Sequence, residues 1–441
     1  MSQRPENRPA PFVGWVRSAA PYVNAFRGRT FVVTFGGEMV ADGKFVEFTH
    51  DLNLLASLGI RLVLVHGARP QIEARMRERG AQDRYVEGLR VTDELALKCV
   101  KEAVGRMRLE IEALLSMGLP NSPMANAEIR VAGGNFVAAR PVGVIAGVDL
   151  LYTGEVRGVD AAAVAARLDR GEVVLLSPLG YSPTGEVFNL TSEDVATAAA
   201  LALRAEKLIF LCEEPGVAVR GKLVRELSVK DAEALIRQGK RLSAEMRDYL
   251  PDAVRACRGG VARVHLVGRH TDGAILQELF TREGVGTLVT PGSLEALREA
   301  SLKDIGGVLQ LIEPLEAEGV LVKRGRDLLE REFDRFQVLE HDGRIVGCVA
   351  LYPFPEEKCG ELACLAVDPD YRNAGYGDAL LNAVEARARK AGLKRLFVLT
   401  TRTAHWFLER GFVEQGQDAL PKRRQALYNL TRRSKVFSKR L

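Results

Sequence analysis

Arg372-Asn373-Ala374-Gly375-Tyr376-Gly377 follows the apolar run 362–367 and opens a stretch of helical periodicity. The spacing Arg-x-x-Gly-x-Gly between a strand and a helix has a physical consequence. Glycines there let successive backbone N–H groups close on a phosphate without side-chain obstruction. The helix start adds the positive end of its dipole. The stretch therefore predicts a cradle for a diphosphate, and the surrounding chain has to say which one.

Around it, strands are expected at 344–351, 361–367 and 395–400, with helices at 377–390 and 404–410 ended by Gly392 and Gly411. Leu380, Val384 and Ala388 share one helix face. This predicts a small α+β unit over residues 295–441. Before it, Pro291-Gly292-Ser293 reads as part of a linker, 291–294. From 28 to 290 apolar strands alternate with helices: strands at 31–35, 61–66, 172–177, 207–212 and 263–267, helices at 194–203, 231–238 and 271–280. Such alternation predicts an α/β fold, a mainly parallel sheet between two helical layers. Residues 1–27 read as an N-terminal helical segment.

Composition narrows the class. A chain of 441 residues exceeds one ordinary domain. Its 47% hydrophobic and 27% charged content fits a soluble protein with sizeable cores, and no apolar run reaches bilayer length. Arg4, Arg8, Arg17, Arg27 and Arg29 are interspersed with Glu6, and Phe12, Val13, Trp15, Val16, Ala20 and Val23 fit an amphipathic helix better than a cleaved leader. The six cysteines form no Cys-x-x-Cys pair, which predicts reduced thiols in a cytoplasmic protein. No cluster has metal-ligand spacing, so no metal is expected. The net charge is +5, with basic residues thickening at Lys422, Arg423, Arg424, Arg432 and Arg433. Without interleaved aromatic residues they predict a solvated face or a site for small anions, not nucleic acid and not a membrane surface.

The strand Glu361-Leu362-Ala363-Cys364-Leu365-Ala366-Val367, the turn Asp368-Pro369 and the loop from Tyr371 to Gly377 resemble the cofactor segment of the GNAT acetyltransferase superfamily. Trp406-Phe407-Leu408-Glu409-Arg410-Gly411-Phe412 resembles that superfamily's later Gly-Phe ending. The resemblance implies acetyl-CoA as co-substrate. Its diphosphate would lie on the amides of Arg372, Asn373, Ala374, Gly375, Tyr376 and Gly377, with Cys364, Leu365, Ala366 and Val367 beside the rest. Acetyl transfer to an amine needs a base, donors for the thioester oxygen and an acid for the leaving thiolate. Glu361 is the expected base, direct or through water, and burial would raise its pKa. Backbone N–H groups near Cys364 and Leu365 would meet the oxygen. Thr400 or Tyr428 would serve the thiolate. Cys364 lies in an apolar strand, without the electropositive setting that makes a thiolate, so direct transfer is expected over an acetyl-cysteine route.

Phe31-Val32-Val33-Thr34-Phe35-Gly36-Gly37, Leu64-Val65-His66-Gly67-Ala68-Arg69-Pro70, residues 153–156 and residues 279–287 resemble the amino-acid kinase family, acetylglutamate kinase above all. The departures are chemical. Thr34 stands where the kinases carry a lysine, Ala68 and Arg69 replace loop glycines, and Met246-Arg247 lacks a second lysine. Phosphoryl transfer depends on that charge neutralisation, so this unit is expected not to phosphorylate.

The joined pair resembles the bacterial N-acetylglutamate synthase family, which the opening segment 22–29 also fits. That resemblance implies acetylation of L-glutamate, the first step of arginine biosynthesis. It implies substrate contacts from Arg324, Cys364, Arg432 and Ser434, guanidinium forks suiting carboxylates. It further implies inhibition by L-arginine near Tyr22, Asn24, Lys207, Glu278 and Gly284, with Glu278 available to pair with the effector's guanidinium, and a homo-oligomer, a hexamer in ring-shaped relatives. A bifunctional synthase/kinase, a non-catalytic arginine sensor and acetylation of another amine remain as alternatives.

Overall fold

The computed structural model describes residues 11–239, 242–281, 284–372, 375–426 and 434–441. The chain divides between Gly292 and Ser293 into two compact units.

The first unit is built on an eight-stranded sheet. Its strands are β1 (Thr30–Phe35), β2 (Arg61–His66), β3 (Val131–Ala132), β4 (Val173–Leu176), β5 (Lys207–Cys212), β6 (Glu226–Ser228), β7 (Arg263–Gly268) and β8 (Thr287–Thr290). They lie in the order β6-β8-β7-β5-β1-β2-β4-β3, and all neighbours are parallel except β7 and β8. Central strands read as continuous apolar runs because helices cover both faces. Val32, Val63 and Leu208 face one apolar cluster, Phe31, Leu62 and Ile209 the other. Helix α1 (Pro11–Phe26) lies against the second cluster, where Phe26 meets Phe31 and Phe280 edge-on at 5.3 and 5.8 Å.

Two departures from the sequence expectation have local causes. The helix expected from 271 begins only at Ala274: Gly273 is left-handed (φ +65°), so α3 runs Ala274–Phe280. A four-stranded sheet formed by Val137–Pro141, Gly154–Val159, Leu179–Tyr181 and Val187–Asn189 was not expected. Its strands are short, and the longer two are largely solvent-facing, so they lack the apolar run that marks a central strand. Helix α2 (Phe45–Ser57) packs Phe45, Phe48, Leu52 and Leu55 inward.

The second unit has a seven-stranded sheet: β9 (Glu295–Glu299), β10 (Phe336–His341), β11 (Arg344–Phe354), β12 (Cys359–Val367), β13 (Arg395–Thr400), β14 (Val413–Gln415) and β15 (Lys435–Arg440). The order is β9-β10-β11-β12-β13-β15-β14. One face packs on α4 (Ile305–Ala317) through Ile305, Val308 and Ile312. The other packs on α5 (Tyr376–Lys390) through Leu380, Leu381, Val384 and Ala388. Each such buried leucine is worth about 1.5–3 kcal/mol against exposure. Asp378 in the first turn of α5 and Arg387, Arg389 and Lys390 in its last suit the helix dipole.

Candidate functional site

Strand β12 decides the geometry. Against β11 its register slips: Ala350 pairs with Ala363, but Cys348 pairs with Ala366. Cys364 and Leu365 thus stand against the single residue Val349, one residue too many, and Cys364 is left-handed (φ +51°). A bulge of this kind turns side chains to the opposite face. Leu362 therefore packs toward α5, while Cys364 and Ala366 pack toward α4.

On its other edge β12 pairs with β13 only at Cys359, Gly360 and Glu361. Beyond Glu361 the two strands part, although both continue. The edge of β12 from 362 to 367 is left facing a fork, open for an extended ligand to bond as a strand would. Glu361 stands at the crotch and Cys364 and Leu365 just beyond it.

The strand leads into the diphosphate segment. Asp368 accepts the Asp370 N–H (3.1 Å) and an Arg344 bond (3.0 Å), fixing the turn. Arg372 and Gly375 are exposed, and Gly375 (φ +82°) begins α5, whose first N–H groups have no intrahelical partner. Asn373 and Ala374 lie outside the described residues. The second glycine has a different reason from the one expected. A side chain at Gly377 would meet the Trp406 ring at 3.1 Å. Trp406 in turn carries the Arg410 guanidinium 3.9 Å from its ring, and Arg410 pairs with Asp378. The helix α6 (Ala404–Leu408) is thereby fastened to the start of α5. The Tyr376 side chain is buried and donates to Glu295 (2.6 Å), so only its backbone faces the loop.

The Glu361 carboxylate is buried but not alone. Arg424, from α7 (Lys422–Gln425), donates to both oxygens at 2.7 and 3.0 Å. Tyr352 is the β11 residue opposite Glu361 and donates to Glu332 at 2.8 Å. Arg324, in the loop after α4, lies 5.9 Å from the Tyr352 ring. Burial disfavours its charge, but Cys364, Tyr352 and Glu361 outweigh that and hold Arg324 protonated more firmly than usual. The expected residues Arg324, Glu361 and Cys364 are thus brought together. Burial pushes the Cys364 thiol up to about 11, against the pull of Arg324, which keeps it a poor nucleophile at neutral pH. Thr400 ends β13, and its hydroxyl closes its own turn with Thr403, at 2.8 Å to the hydroxyl and 3.1 Å from the N–H. Ser434 is buried beside it, next to Lys435, the β15 partner of Thr400. Tyr428, Arg432 and Arg433 lie outside the described residues. Sequence reading missed Arg424 as an individual: it was one residue of a basic run.

In the first unit Lys207, Glu278 and Gly284 also converge, through a residue not anticipated. Lys207 is 3.2 Å from His265 Nε2, and His265 Nδ1 is 2.7 Å from Glu278. Glu278 further accepts the N–H groups of Val285 (2.7 Å) and Gly286 (2.8 Å). Gly284 is left-handed (φ +60°), and a Cβ there would reach within 2.5 Å of the Glu278 carboxylate. Glu278 is therefore buried and engaged, not the open carboxylate expected for an effector's guanidinium. Burial, then Lys207, pushes His265 down to about 4. Burial works to raise Glu278, but His265 and the two N–H groups win and hold it at about 2. The Phe26 ring lies 5.0 Å from Lys207, and the Tyr22 ring is tilted 45° against Phe26 at 6.1 Å on α1, with Asn24 exposed.

The kinase-like loops are closed. Thr34 is a buried strand residue. The Glu38 carboxylate lies against Gly36, and Gln71 bonds the Gly37 carbonyl at 2.7 Å. Glu245 accepts the N–H groups of Glu213 and Glu214 at 2.7 and 3.0 Å, where β5 ends. Burial and the charges of Glu193, Cys212, Glu245 and Glu38 push Tyr249 far above its usual value. Glu245 thus fills the end of β5, among the strand ends where a doubly wound sheet takes its ligand.

Comparison with known proteins accords with both units. The amino acid kinase family matches residues 29–268 and the acetyltransferase (GNAT) family residues 307–412. An amino-acid acetyltransferase of Ralstonia nicotianae is 56% identical over 431 residues, 98% of this chain and 95% of that protein. One of Azotobacter vinelandii is 55% identical over 432 residues, 98% of this chain and 99% of that protein. The crystal structure of N-acetylglutamate synthase from Neisseria gonorrhoeae complexed with coenzyme A and L-arginine matches with a TM-score of 0.89 at 39% identity, covering 98% of this chain and all (100%) of that one. The same relative complexed with coenzyme A and N-acetyl-glutamate gives 0.63 at 40% identity over the same shares. With kinase-like and GNAT units in one chain and such relatives along nearly its whole length, the chain belongs to the amino-acid acetyltransferase family.

Proposed function

We propose that this chain transfers the acetyl group of acetyl-CoA directly to the amine of L-glutamate, giving N-acetyl-L-glutamate and CoA, and that L-arginine inhibits it through the kinase-like unit. The observation that carries the reading is the fork between β12 and β13, with Glu361 at its base and a bulge at Cys364. The open edge of β12 orients an extended thioester, and the N–H groups near Cys364 and Leu365 meet its oxygen as charge develops there. The start of α5 takes the diphosphate.

Glu361 removes a proton from the substrate ammonium. In the free protein it is tied to Arg424. A dicarboxylate supplies the replacement: one substrate carboxylate takes the Arg424 fork and releases Glu361 toward the amine, while Arg324 holds the other. The amine attacks the thioester carbon, the carbon–sulfur bond breaks, and the thiolate is protonated from Thr400, Ser434 or Tyr428. Arg432 is a further candidate for the substrate carboxylates.

Arginine regulation draws support from the convergence of Lys207, His265 and Glu278 beneath α1, and from the arginine complex of the Neisseria relative. Effector binding can inhibit only by favouring an inactive arrangement. The exposed Phe12, Trp15 and Val16 on α1 support a homo-oligomer, a hexamer in this reading. Six buried, unpaired cysteines fit a cytoplasmic location. The test is CoA release with glutamate, aspartate, glutamine and lysine peptides as acceptors, with and without arginine. A preference for any acceptor other than glutamate rejects the reading.

A further inference from the structure

Tyr376 opens α5 and is only 6% exposed, packed with Leu380 and its apolar neighbours. A buried phenol needs a partner for its hydroxyl. This one donates to Glu295 at 2.6 Å and lies 3.3 Å from His341 Nδ1. A phenol has one proton to give. With that proton on the Glu295 carboxylate, His341 Nδ1 carries its own and donates it to the phenol oxygen. Glu295 and His341 are direct partners across β9 and β10, so both side chains leave the sheet on one face.

The same ring stacks on Tyr371, with centroids 5.6 Å and planes 25° apart, and Tyr371 lies 5.0 Å from His341. Tyr371 closes the short turn Pro369–Tyr371 before Arg372, and Tyr376 follows Gly375. The two tyrosines therefore stand at the two ends of the diphosphate segment, and one aromatic stack joins them. Glu295 is the polar anchor of that stack. Its own N–H bonds Ser293 Oγ at 3.1 Å, and the Leu294 carbonyl accepts the Asp342 N–H at 3.0 Å, so the start of β9 is itself fixed. Glu295 is exposed, so truncating it opens no cavity. The first N–H groups of α5 have no intrahelical partner. A diphosphate must meet them in line, because a bent N–H···O bond weakens steeply.

We propose that Glu295 is a positioning residue for the coenzyme: it holds Tyr376, and through it the N–H groups at the start of α5, in the orientation a diphosphate requires. It acts through Tyr376 and not on the reacting atoms. The proposal rests on the acetyl-CoA half of the proposed function and not on the acceptor. Isothermal titration of the full chain with CoA tests it, since CoA carries the diphosphate and needs no acceptor to bind. Glu295→Ala and Tyr376→Phe are each expected to weaken CoA about threefold or more, one charge-assisted hydrogen bond felt indirectly. The double variant is expected to bind no more weakly than the worse single, because both changes remove the same bond. In steady-state kinetics the acetyl-CoA KM rises in each variant, while kcat and the glutamate KM stay within about twofold of wild type, a split that general loosening of the fold does not produce. CoA bound as tightly by Glu295→Ala as by wild type, losses that multiply in the double variant, or a fall in kcat as large as the rise in KM overturns the proposal. Wild type that binds no CoA overturns the coenzyme reading and this proposal with it. The isotherms decide even if glutamate is not the acceptor.

Discussion

Arg424 reaches from α7 to hold both oxygens of Glu361, at 2.7 and 3.0 Å. A base held this way is oriented but occupied, and the substrate must exchange with it. Two variants separate the roles. Glu361→Gln keeps shape and removes the base, so kcat falls about 10²–10⁴-fold with acetyl-CoA affinity unchanged. Arg424→Gln removes the fork that a substrate carboxylate takes over. The KM for glutamate should rise about tenfold or more, as for a lost charge-assisted bond, while the KM for acetyl-CoA holds. Steady-state kinetics with each substrate varied in turn decide it. An unchanged glutamate KM in Arg424→Gln removes the exchange step.

Gly375 caps α5 and Gly377 is the second residue of that helix, each a glycine for a different reason, and substitutions should part them. At Gly375 an alanine must adopt φ +82°, at a cost of about 1–2 kcal/mol, and it displaces the N–H groups that open α5. The acetyl-CoA KM should rise several-fold, with the glutamate KM unmoved. At Gly377 the added Cβ presses on Trp406, so Gly377→Ala should lower Tm through overpacking, about 1–3 kcal/mol. The loss should shrink in a Trp406→Leu background, because the two positions share one contact. Equal losses in both backgrounds would dismiss the contact as the cause.

The legible parts of this chain were those with a local signal. Strands such as Leu62–Val65 and Leu208–Leu211 are buried along their whole length, and an unbroken apolar run marks them. The loop at Arg372–Gly377 announces itself by spacing. The illegible parts depend on partners distant in sequence. Arg424 looked like its neighbours Lys422 and Arg423 until α7 returned to β12, 63 residues back. His265 is one polar residue in an apolar strand, and only the strand order sets it between Lys207 and Glu278. The bulge at Cys364 has no glycine to announce it, since the left-handed residue is a cysteine. Glu278, expected to pair with an effector's guanidinium, is bonded to His265 and to the N–H groups of Val285 and Gly286, partners that its own helix does not announce.

The Lys207–His265–Glu278 network makes the kinase-like unit acid-sensitive. His265 falls to about 4 on folding and Glu278 to about 2. Between those values and their ordinary ones the unfolded chain binds more protons than the folded one. Stability therefore rises with pH, from about 2 to 4.5 for Glu278 and from about 4 to 6.5 for His265. The His265 share is at most about 3 kcal/mol. Urea unfolding of wild type and His265→Gln at pH 4.5 and 7.5 measures it. The wild type should lose more stability on acidification than the variant, and equal losses would acquit His265.

Asp51 has the opposite sign. Its carboxyl is raised on folding to about 7, so between pH 4 and 7 the folded chain binds more protons than the unfolded one, and its contribution weakens stability as pH rises. The groups that face the same cleft, between α2 and the loop that enters α3, are Lys44, Glu47, Arg269, His270 and Asp272, and the two carboxylates among them, after burial itself, drive the shift. Asp51→Asn removes the repulsion without changing shape. At pH 8 the variant should be more stable by about 1–2 kcal/mol, after allowance for solvent screening of a partly exposed group. At pH 4, where the native carboxyl is already protonated, the gain should vanish. Thermal melts at the two pH values read the difference directly. A gain of the same size at both would mean that packing, not charge, separates asparagine from aspartate there.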